Sequence, residues 1–225
     1  MKNPWINFQP SSQMVHPDDR EIVDFHNLKS KTKHRFLLHL APEPWIGNIH
    51  APIVILLANP GATNLDLSGK PQIKAEEIIA KSIYNLHQDL KTYKHFFFDP
   101  ALEGTQGQKW YLKSFKSLLK EFDIEHISNS VLTCEMAPYH SKNWKKPKSN
   151  FPTQDYTNFL VREAIERGAV ILMHRARKLW LEMVPELEKY PYKYMPSSWQ
   201  SAAVSPNNYK QAYEVIRSRL TSKAF

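Results

Sequence analysis

Two short polar segments follow apolar runs and carry residue types that suit a binding or catalytic site. Asn59-Pro60-Gly61 comes after the run at 53–57, and Met195-Pro196-Ser197-Ser198-Trp199 comes after Tyr192-Lys193-Tyr194. If both runs are strands of an α/β sheet, the segments lie at strand ends, where such folds place their ligands. With a net charge of +8, this arrangement predicts a site that faces an anionic polymer.

Basic residues are concentrated in two further segments. The loop at 140–150 interleaves Trp144 with four lysines, Lys142, Lys145, Lys146 and Lys148. Lysines around an aromatic ring are typical of surfaces that bind phosphates and stack bases, although a solvated charge run has the same composition. Arg175 lies in a basic run that opens a predicted helix, whose N-terminal amides suit phosphate groups.

The overall charge favours an acidic partner. The chain has 30 Lys and Arg against 22 Asp and Glu, so nucleic acid is the first candidate and a membrane surface the second. Cys134 is the only cysteine, which excludes a disulfide within the chain and an all-cysteine metal cluster. No apolar run approaches the ~20 residues that a membrane span needs. We therefore expect a nucleic acid as the partner, no membrane partner and a cytoplasmic protein.

The hydrophobic pattern predicts the elements that position these segments. Apolar runs predict strands at 53–57, 128–134, 169–173 and 192–195, and helical patterns lie at 17–40, 74–91, 109–122, 153–167, 175–189 and 208–222. Asp18 or Asp19 is expected to cap the first helix, Thr153 the fourth, and Pro185 to kink or end the fifth. The strands do not alternate with polar residues, which is typical of a parallel sheet covered on both faces.

The strand-end motifs resemble those of a known family. Ala58-Asn59-Pro60-Gly61 is similar to the Gly-x-Asn-Pro-Gly signature of the mismatch-specific uracil and thymine DNA glycosylases. Met195-Pro196-Ser197-Ser198 resembles the segment at the end of their fourth strand. The resemblance covers about residues 45–222. It implies the fold of the uracil-DNA glycosylase superfamily: a three-layer α/β/α sandwich with a central, mainly parallel four-stranded sheet at 51–225, preceded here by an N-terminal arm at 1–50.

The first motif implies the catalytic residue. Asn59 occupies the position at which the family orients the attacking water, and an amide can accept a hydrogen bond from water without becoming a charged nucleophile. Pro60 and Gly61 would bring the backbone close to a flipped base, which small or preset residues permit. A plain turn after a strand would have the same three residues.

The second motif implies contacts with the DNA backbone. Met195, Pro196, Ser197 and Ser198 occupy the phosphate-binding positions, and Trp199 is the candidate wedge that fills the space left by an extruded base. Ordinary packing of Trp199 against the last helix is the alternative. A second alignment places Ser205-Pro206-Asn207-Asn208 on the His-Pro-Ser-Pro segment of the single-strand-selective branch, with Val204 replacing the histidine. We prefer the first alignment because a predicted strand ends directly before Pro196.

The sequence departs from the family after the second strand. Glu135 stands near the position of a base-reading Asn, and a carboxylate can only accept hydrogen bonds. Acceptance suits an exocyclic amine such as that of cytosine, which puts uracil in doubt as the substrate. A surface carboxylate is the alternative. Phe98, or else Phe97, is expected to stack on the base, although residues of this run can also be core.

These observations predict a monomeric DNA N-glycosylase of base excision repair that acts on a flipped damaged, mismatched or modified base. We expect no cofactor and no metal, since no zinc motif, Walker loop or dinucleotide-binding motif is present. A catalytically inactive DNA-binding module is the main alternative, and a non-DNA enzyme on the same fold is the third possibility.

Overall fold

The computed structural model describes residues 1–70 and 72–221, and its strands form a five-stranded sheet. The strands are β1 Trp45–Gly47, β2 Ile53–Leu57, β3 Val131–Glu135, β4 Val170–Met173 and β5 Lys193–Tyr194. Their order across the sheet is β1-β3-β2-β4-β5, with β1 antiparallel to β3 and every other pair parallel. The expected mixed α/β fold with a mainly parallel sheet is confirmed, with five strands rather than four.

The additional strand β1 lies at one edge of the sheet, directly after Pro42 and Pro44. The sequence predicts only an extended segment at 41–45, because its two prolines disfavour the helical conformation of the residues before them. The Pro44 carbonyl nevertheless accepts a hydrogen bond from the Glu135 amide, and Trp45 pairs with Cys134. A proline is tolerated at this position because only its acceptor is used.

Helices connect the strands. They are α1 Arg20–Lys29, α2 Asn64–Leu67, α3 Ala75–Leu86, α4 Gln106–Ser114, α5 Ile124–Ser130, α6 Gln154–Glu166, α7 Arg177–Met183 and α8 Pro206–Thr221. Short 3₁₀ turns include Pro17–Asp19, Thr32–His34, Phe96–Phe98, Leu118–Lys120 and Pro185–Glu188. Gly168, at φ +73°, follows α6, and α7 ends before Pro185, as predicted. The predicted end of the last helix, Ser222, lies outside the described residues.

Three predicted boundaries were wrong, two of them because local side-chain hydrogen bonds were missed. Residues 128–130 end α5 rather than begin a strand, since the Asp123 carboxylate accepts the His126 amide and starts a helix there. The predicted helix at 17–40 ends at Lys29, and Asn27 then pairs with both the amide and the carbonyl of Phe36. The predicted helix at 109–122 likewise ends at Ser114 and gives way to the turn Leu118–Lys120.

The proposed aspartate and threonine caps serve a different purpose. Asp19 is fully buried, and its carboxylate accepts hydrogen bonds from the Tyr139 hydroxyl at 2.7 Å and the Thr153 hydroxyl at 2.7 Å. Neither Asp19 nor Thr153 caps its helix with its side chain. This network joins the N-terminal fifty residues, which also supply β1, to the chain after β3.

The strands contribute alternate residues to two hydrophobic clusters. Val54 and Leu56 of β2 belong to a cluster that includes residues of α1, α6 and α7. Ile53, Ile55 and Leu57 belong to a second cluster, to which α4, α5 and α8 contribute. Within the described chain, no helix is long and apolar enough to cross a bilayer.

Candidate functional site

The carboxyl ends of β2, β3 and β4 lie together at one edge of the sheet. The register places Leu57 beside Glu135 and Leu56 beside Met173. The chain leads from β2 to β3, toward one edge of the sheet, and from β4 to β5, toward the other edge. A crevice is therefore expected between the ends of β2 and β4. Asn59 follows β2 and Arg175 follows β4, so both lie at this crevice, and Glu135 ends the neighbouring strand.

The side-chain amide of Asn59 has a fixed orientation. Its Nδ2 lies 2.8 Å from the Pro60 carbonyl, 2.9 Å from the Ser141 hydroxyl and 3.3 Å from the Tyr139 carbonyl. Carbonyl oxygens can only accept, so this end of the amide must be the nitrogen. The Oδ1 atom has no hydrogen-bond partner among residues 1–70 and 72–221, which leaves an acceptor available at the crevice.

The loop after β3 holds the Asn59 segment in place. The Ser141 side chain is 1% exposed, and its amide donates to the Pro60 carbonyl at 3.3 Å. One ring nitrogen of His140 lies 2.8 Å from the Gly61 carbonyl, and the other lies 3.1 Å from the Ala41 carbonyl. A Cβ atom built on Gly61 meets nothing within 4 Å, so local packing does not require a glycine there.

Glu135 is a buried carboxyl group without a stabilising partner. The residue is 4% exposed, and its Oε2 atom is fully buried without a hydrogen-bond partner in the described chain. Thr133 and Tyr111 lie on the same side of the sheet, and the Thr133 hydroxyl lies 3.1 Å from a ring nitrogen of His95. The Glu135 side chain therefore does not face bulk solvent.

The surroundings of Glu135 disfavour its charged form. Burial raises its pKa well above the usual value, the charge of Glu43 raises it further, and Arg175 opposes both effects. Glu43 is also buried, and its own pKa is raised by burial and lowered in part by His140, whose Nε2 lies 3.7 Å from the carboxylate. Two carboxyl groups therefore share this buried region.

The expected stacking aromatics are part of the core. Phe98 is fully buried, with its ring 5.3 Å from that of Phe115 in an edge-to-face contact. Phe97 is 6% exposed and stacks on Tyr111 at a centroid distance of 5.5 Å. Neither ring offers a free face in this conformation, so stacking on a base would require these side chains to move.

The lysines of the 140–150 loop are exposed and have weak partners. Lys142 contacts the Asn64 side chain, Lys146 forms an exposed ion pair with Glu182 at 3.5 Å, and Lys148 lies 5.7 Å from the centre of the Phe25 ring. Lys145 is exposed too, and it lies near His26. Burial lowers the pKa of His26, and the positive charge of Lys145 lowers it further. Exposed contacts of this kind contribute little and can be exchanged for phosphate groups. Trp144 is half-buried against the core rather than free for stacking.

The segment after β5 is exposed and organised by one residue, Asn208. The Ser197 amide donates to the Asn208 backbone carbonyl at 2.6 Å. The Ser198 amide donates to the Asn208 side-chain oxygen, Oδ1, at 3.0 Å. Trp199 is 72% exposed, so it is not packed against α8. The side chains of Met195, Ser197 and Ser198 are also exposed, and Pro196 is half-buried. Because β4 lies between β2 and β5, the strand that leads into this segment is two strand spacings, about 10 Å, from β2.

The chain after β4 brings a cation to the crevice. The amides of His174 and Arg175 both donate to the Leu56 carbonyl at 3.1 Å, which fixes this segment against β2. The Arg175 side chain is exposed, whereas His174 is buried. Burial, with a contribution from the Arg175 charge, lowers the pKa of His174 to about 4, so this imidazole is neutral at pH 7.

Sequence reasoning missed the residues that hold the site together. Each of these residues acts on a candidate residue that is distant in the chain. They are Ser141 for Asn59, His140 for Gly61, Glu43 for Glu135 and Asn208 for the segment after Met195. Their types alone do not distinguish them from other polar residues in loops. Their position next to the strand-end motifs was the available signal for Ser141 and His140.

In the part of the chain that the structure describes, no three His, Cys, Asp or Glu side chains are grouped so that they could hold a metal ion. No protein-family profile matches the chain. No curated protein and no solved structure matches it either. What the site can do therefore rests on its own geometry.

Proposed function

We propose that the protein is a monofunctional DNA N-glycosylase that hydrolyses the glycosidic bond of a flipped base. The observation that carries the proposal is the Asn59 amide. Its nitrogen is held by three acceptors, and its oxygen is left free at the carboxyl end of β2. An oriented amide oxygen can hold the attacking water in line with the sugar carbon, because it accepts one of the water's hydrogen bonds.

Glu135 supports the same proposal. It ends the strand next to β2 and brings an unpartnered buried carboxyl group close to the Asn59 segment. A buried polar atom without a partner costs free energy, so a ligand that supplies the missing hydrogen bond gains affinity. A base edge in this position would place the sugar near Asn59, with Pro60 and Gly61 along its side.

Exposed basic and hydroxyl groups support DNA as the substrate. The four lysines Lys142, Lys145, Lys146 and Lys148 are exposed, as are Arg175, Ser197 and Ser198. These groups suit phosphate binding, which positions DNA without reading its sequence. The exposed ring of Trp199 suits insertion into the base stack.

The proposed family fold also accounts for the two core clusters. Alternate residues of β2 face a cluster containing α6 and α7 residues and a cluster containing α4 and α8 residues. This alternation supports a three-layer α/β/α sandwich, to which β1 adds an antiparallel edge strand.

A catalytically inactive DNA-binding module is the second candidate, and two observations favour it. The Gly61 carbonyl is occupied by His140, and the Phe97 and Phe98 rings are packed in the core. A crevice closed in this way would bind DNA through its basic surface without accepting a base.

Excision assays distinguish the two candidates. The protein would be incubated with duplexes that each carry one uracil, thymine mismatch, cytosine derivative or other modified base, and then with alkali, which cleaves abasic sites. Strand cleavage that depends on the modified base and on Asn59 supports the glycosylase. Salt-dependent DNA binding without cleavage of any duplex supports the inactive module.

A further inference from the structure

Glu135 lacks every contact that would stabilise a buried carboxylate. Its residue is 96% buried, its Oε2 atom is unpartnered, and within residues 1–70 and 72–221 no cation forms an ion pair with it. Moving an ionised carboxylate out of water without a partner costs several kcal/mol, so such a group takes up a proton instead.

The charged and titratable groups around Glu135 act in the same direction overall. Glu43 precedes β1 and adds a second buried carboxyl group, while Tyr111 of α4 and Cys134 of β3 supply only neutral groups at pH 7. Arg175, after β4, is the one opposing charge, and its side chain is exposed and screened by water. Burial and Glu43 raise the pKa of Glu135 well above its usual value.

We propose that Glu135 is a neutral carboxylic acid that reads a flipped base through two hydrogen bonds, one donated by its O–H and one accepted by its carbonyl oxygen. This inference rests on the proposed glycosylase function and names the group that selects the substrate. A neutral carboxylic acid presents a donor beside an acceptor, as an amide does. A neutral Glu135 therefore offers the same donor and acceptor pair as an asparagine side chain, whereas an ionised Glu135 would offer acceptors only.

The matching ligand is a heterocycle with a donor and an acceptor side by side. Cytosine offers its ring N3 and its exocyclic amine, and uracil offers its N3–H and O4 atoms. The proton of the acid can be bound to either carboxyl oxygen. Glu135 can therefore pair with the acceptor and donor of cytosine and also with the donor and acceptor of uracil, whose order is reversed. An ionised Glu135 would accept only bases with an exocyclic amine, whereas the neutral acid accepts uracil as well. Because both bases pair through N3, methylation of N3 should block recognition of both.

The protonation state can be tested without DNA. Infrared difference spectra between the wild type and Glu135→Gln at pH 7 should contain the carbonyl band of a protonated carboxyl group, and this band should be lost from the wild type as the pH is raised. A wild-type spectrum in which only carboxylate bands change would overturn the inference, whatever the protein does to DNA.

Base recognition is tested with four duplexes that carry uracil, mismatched cytosine or the N3-methylated form of each. The wild type and Glu135→Gln should bind the unmethylated bases about tenfold more tightly than the methylated ones, since an amide keeps one donor and one acceptor. Raising the pH should abolish the preference of the wild type and leave that of Glu135→Gln. Equal binding of methylated and unmethylated bases, with the protonated band present, would mean that the acid pairs with water and would overturn base reading.

The two failures are distinguishable. Excision by a wild type whose Glu135 is ionised would refute this inference and keep the glycosylase. A protonated Glu135 with N3-dependent binding but no excision of any base would support the inference and refute catalysis. Circular dichroism of Glu135→Gln would confirm that the variant is folded, and the pH titration of the wild-type band needs no variant.

Discussion

The Ser141 hydroxyl lies 2.9 Å from the Asn59 side-chain nitrogen and links two loops that are 82 positions apart in the chain. Ser141 accepts from Asn59 and donates in turn to the Asn143 carbonyl at 3.3 Å. The hydroxyl can therefore not rotate freely, and it selects the amide rotamer that exposes Oδ1. A residue with no contact to the substrate thus determines how the proposed water-binding group is presented.

Ser141→Ala should lower the rate of base excision about fivefold and leave DNA affinity nearly unchanged. The change removes one hydrogen bond worth about 1 kcal/mol from the Asn59 amide and no phosphate contact. Single-turnover rates and equilibrium binding, measured on the same duplex, separate the two effects. Ser149→Ala, at an exposed position of the same loop, is the matched control. A fall in affinity with an unchanged rate would assign Ser141 to DNA binding instead.

Asn59→Ala should reduce excision by about two or more orders of magnitude, because it removes the group that orients the water. The fold should be retained, since the side chain lies in a loop and carries little core packing. DNA affinity should also be retained, since it depends on phosphate contacts. Excision that survives this substitution would move the role of water activation to another residue.

Replacing Lys142, Lys145, Lys146 and Lys148 together by alanine should weaken binding to all DNA sequences alike. Each lost phosphate contact should lower the slope of log affinity against log salt by about one. The chain offers a control of equal charge in the exposed lysines Lys109, Lys113, Lys116 and Lys120. A slope that falls equally in both fourfold variants would show that only the net charge matters and that this loop is not the DNA surface.

Trp199→Ala should leave the free energy of unfolding within about 0.5 kcal/mol of the wild type, because the ring is mostly exposed. As a wedge, the ring would stabilise the extruded state, so the variant should excise a base from a matched duplex more slowly than from single-stranded DNA. If Trp199→Ala lowers the excision rate, relative to the wild type, by the same factor on the duplex and on single-stranded DNA, Trp199 is not a wedge.

Glu135→Gln should make the stability of the protein less dependent on pH. The pKa of Glu135 is raised in the folded state, so the unfolded chain releases this proton at a lower pH. Stability is therefore unaffected below the usual pKa of glutamate and falls as the pH rises toward the folded-state pKa, by about 1.4 kcal/mol per pH unit. Glutamine removes that loss, so the variant should be the more stable protein at neutral pH.

Urea unfolding between about pH 4 and pH 8 checks this prediction. Glu125→Gln, at an exposed position, is the control and should follow the wild-type curve. Because burial also raises the pKa of Glu43 and Asp19, some pH dependence of the same sign should remain in Glu135→Gln. Identical pH dependence in the wild type and the variant would mean that Glu135 titrates normally.

The sequence predicted the strands that deliver the site better than the contacts that complete it. The unbroken apolar run at 53–57 identifies β2 because a strand buried on both faces needs no information from elsewhere in the chain. The strand β1 was missed because its three residues are too few to show a period, and it is stabilised by pairing with β3. Its assignment depends on a partner 85 positions and more away.

The same distinction applies to the site. Asn59 and Glu135 could be selected as candidates because each lies at the end of a predicted strand. The burial of Glu135 was not predictable, since it depends on the packing of α4 and of the segment before β1 around the sheet. This burial is the property that changes its expected chemistry, from a group that only accepts hydrogen bonds to one that can also donate them.

The contact between Asp19 and Thr153 has a consequence for the order of events during synthesis. It joins residues 134 positions apart, and the same carboxylate accepts from Tyr139. Asp19 is therefore synthesised long before Tyr139 and Thr153, and its hydrogen bonds cannot form until that later part of the chain has been made. Closure of so long a loop is slow to nucleate, so we expect the segment around Asp19 to be among the last parts of the described chain to become fixed.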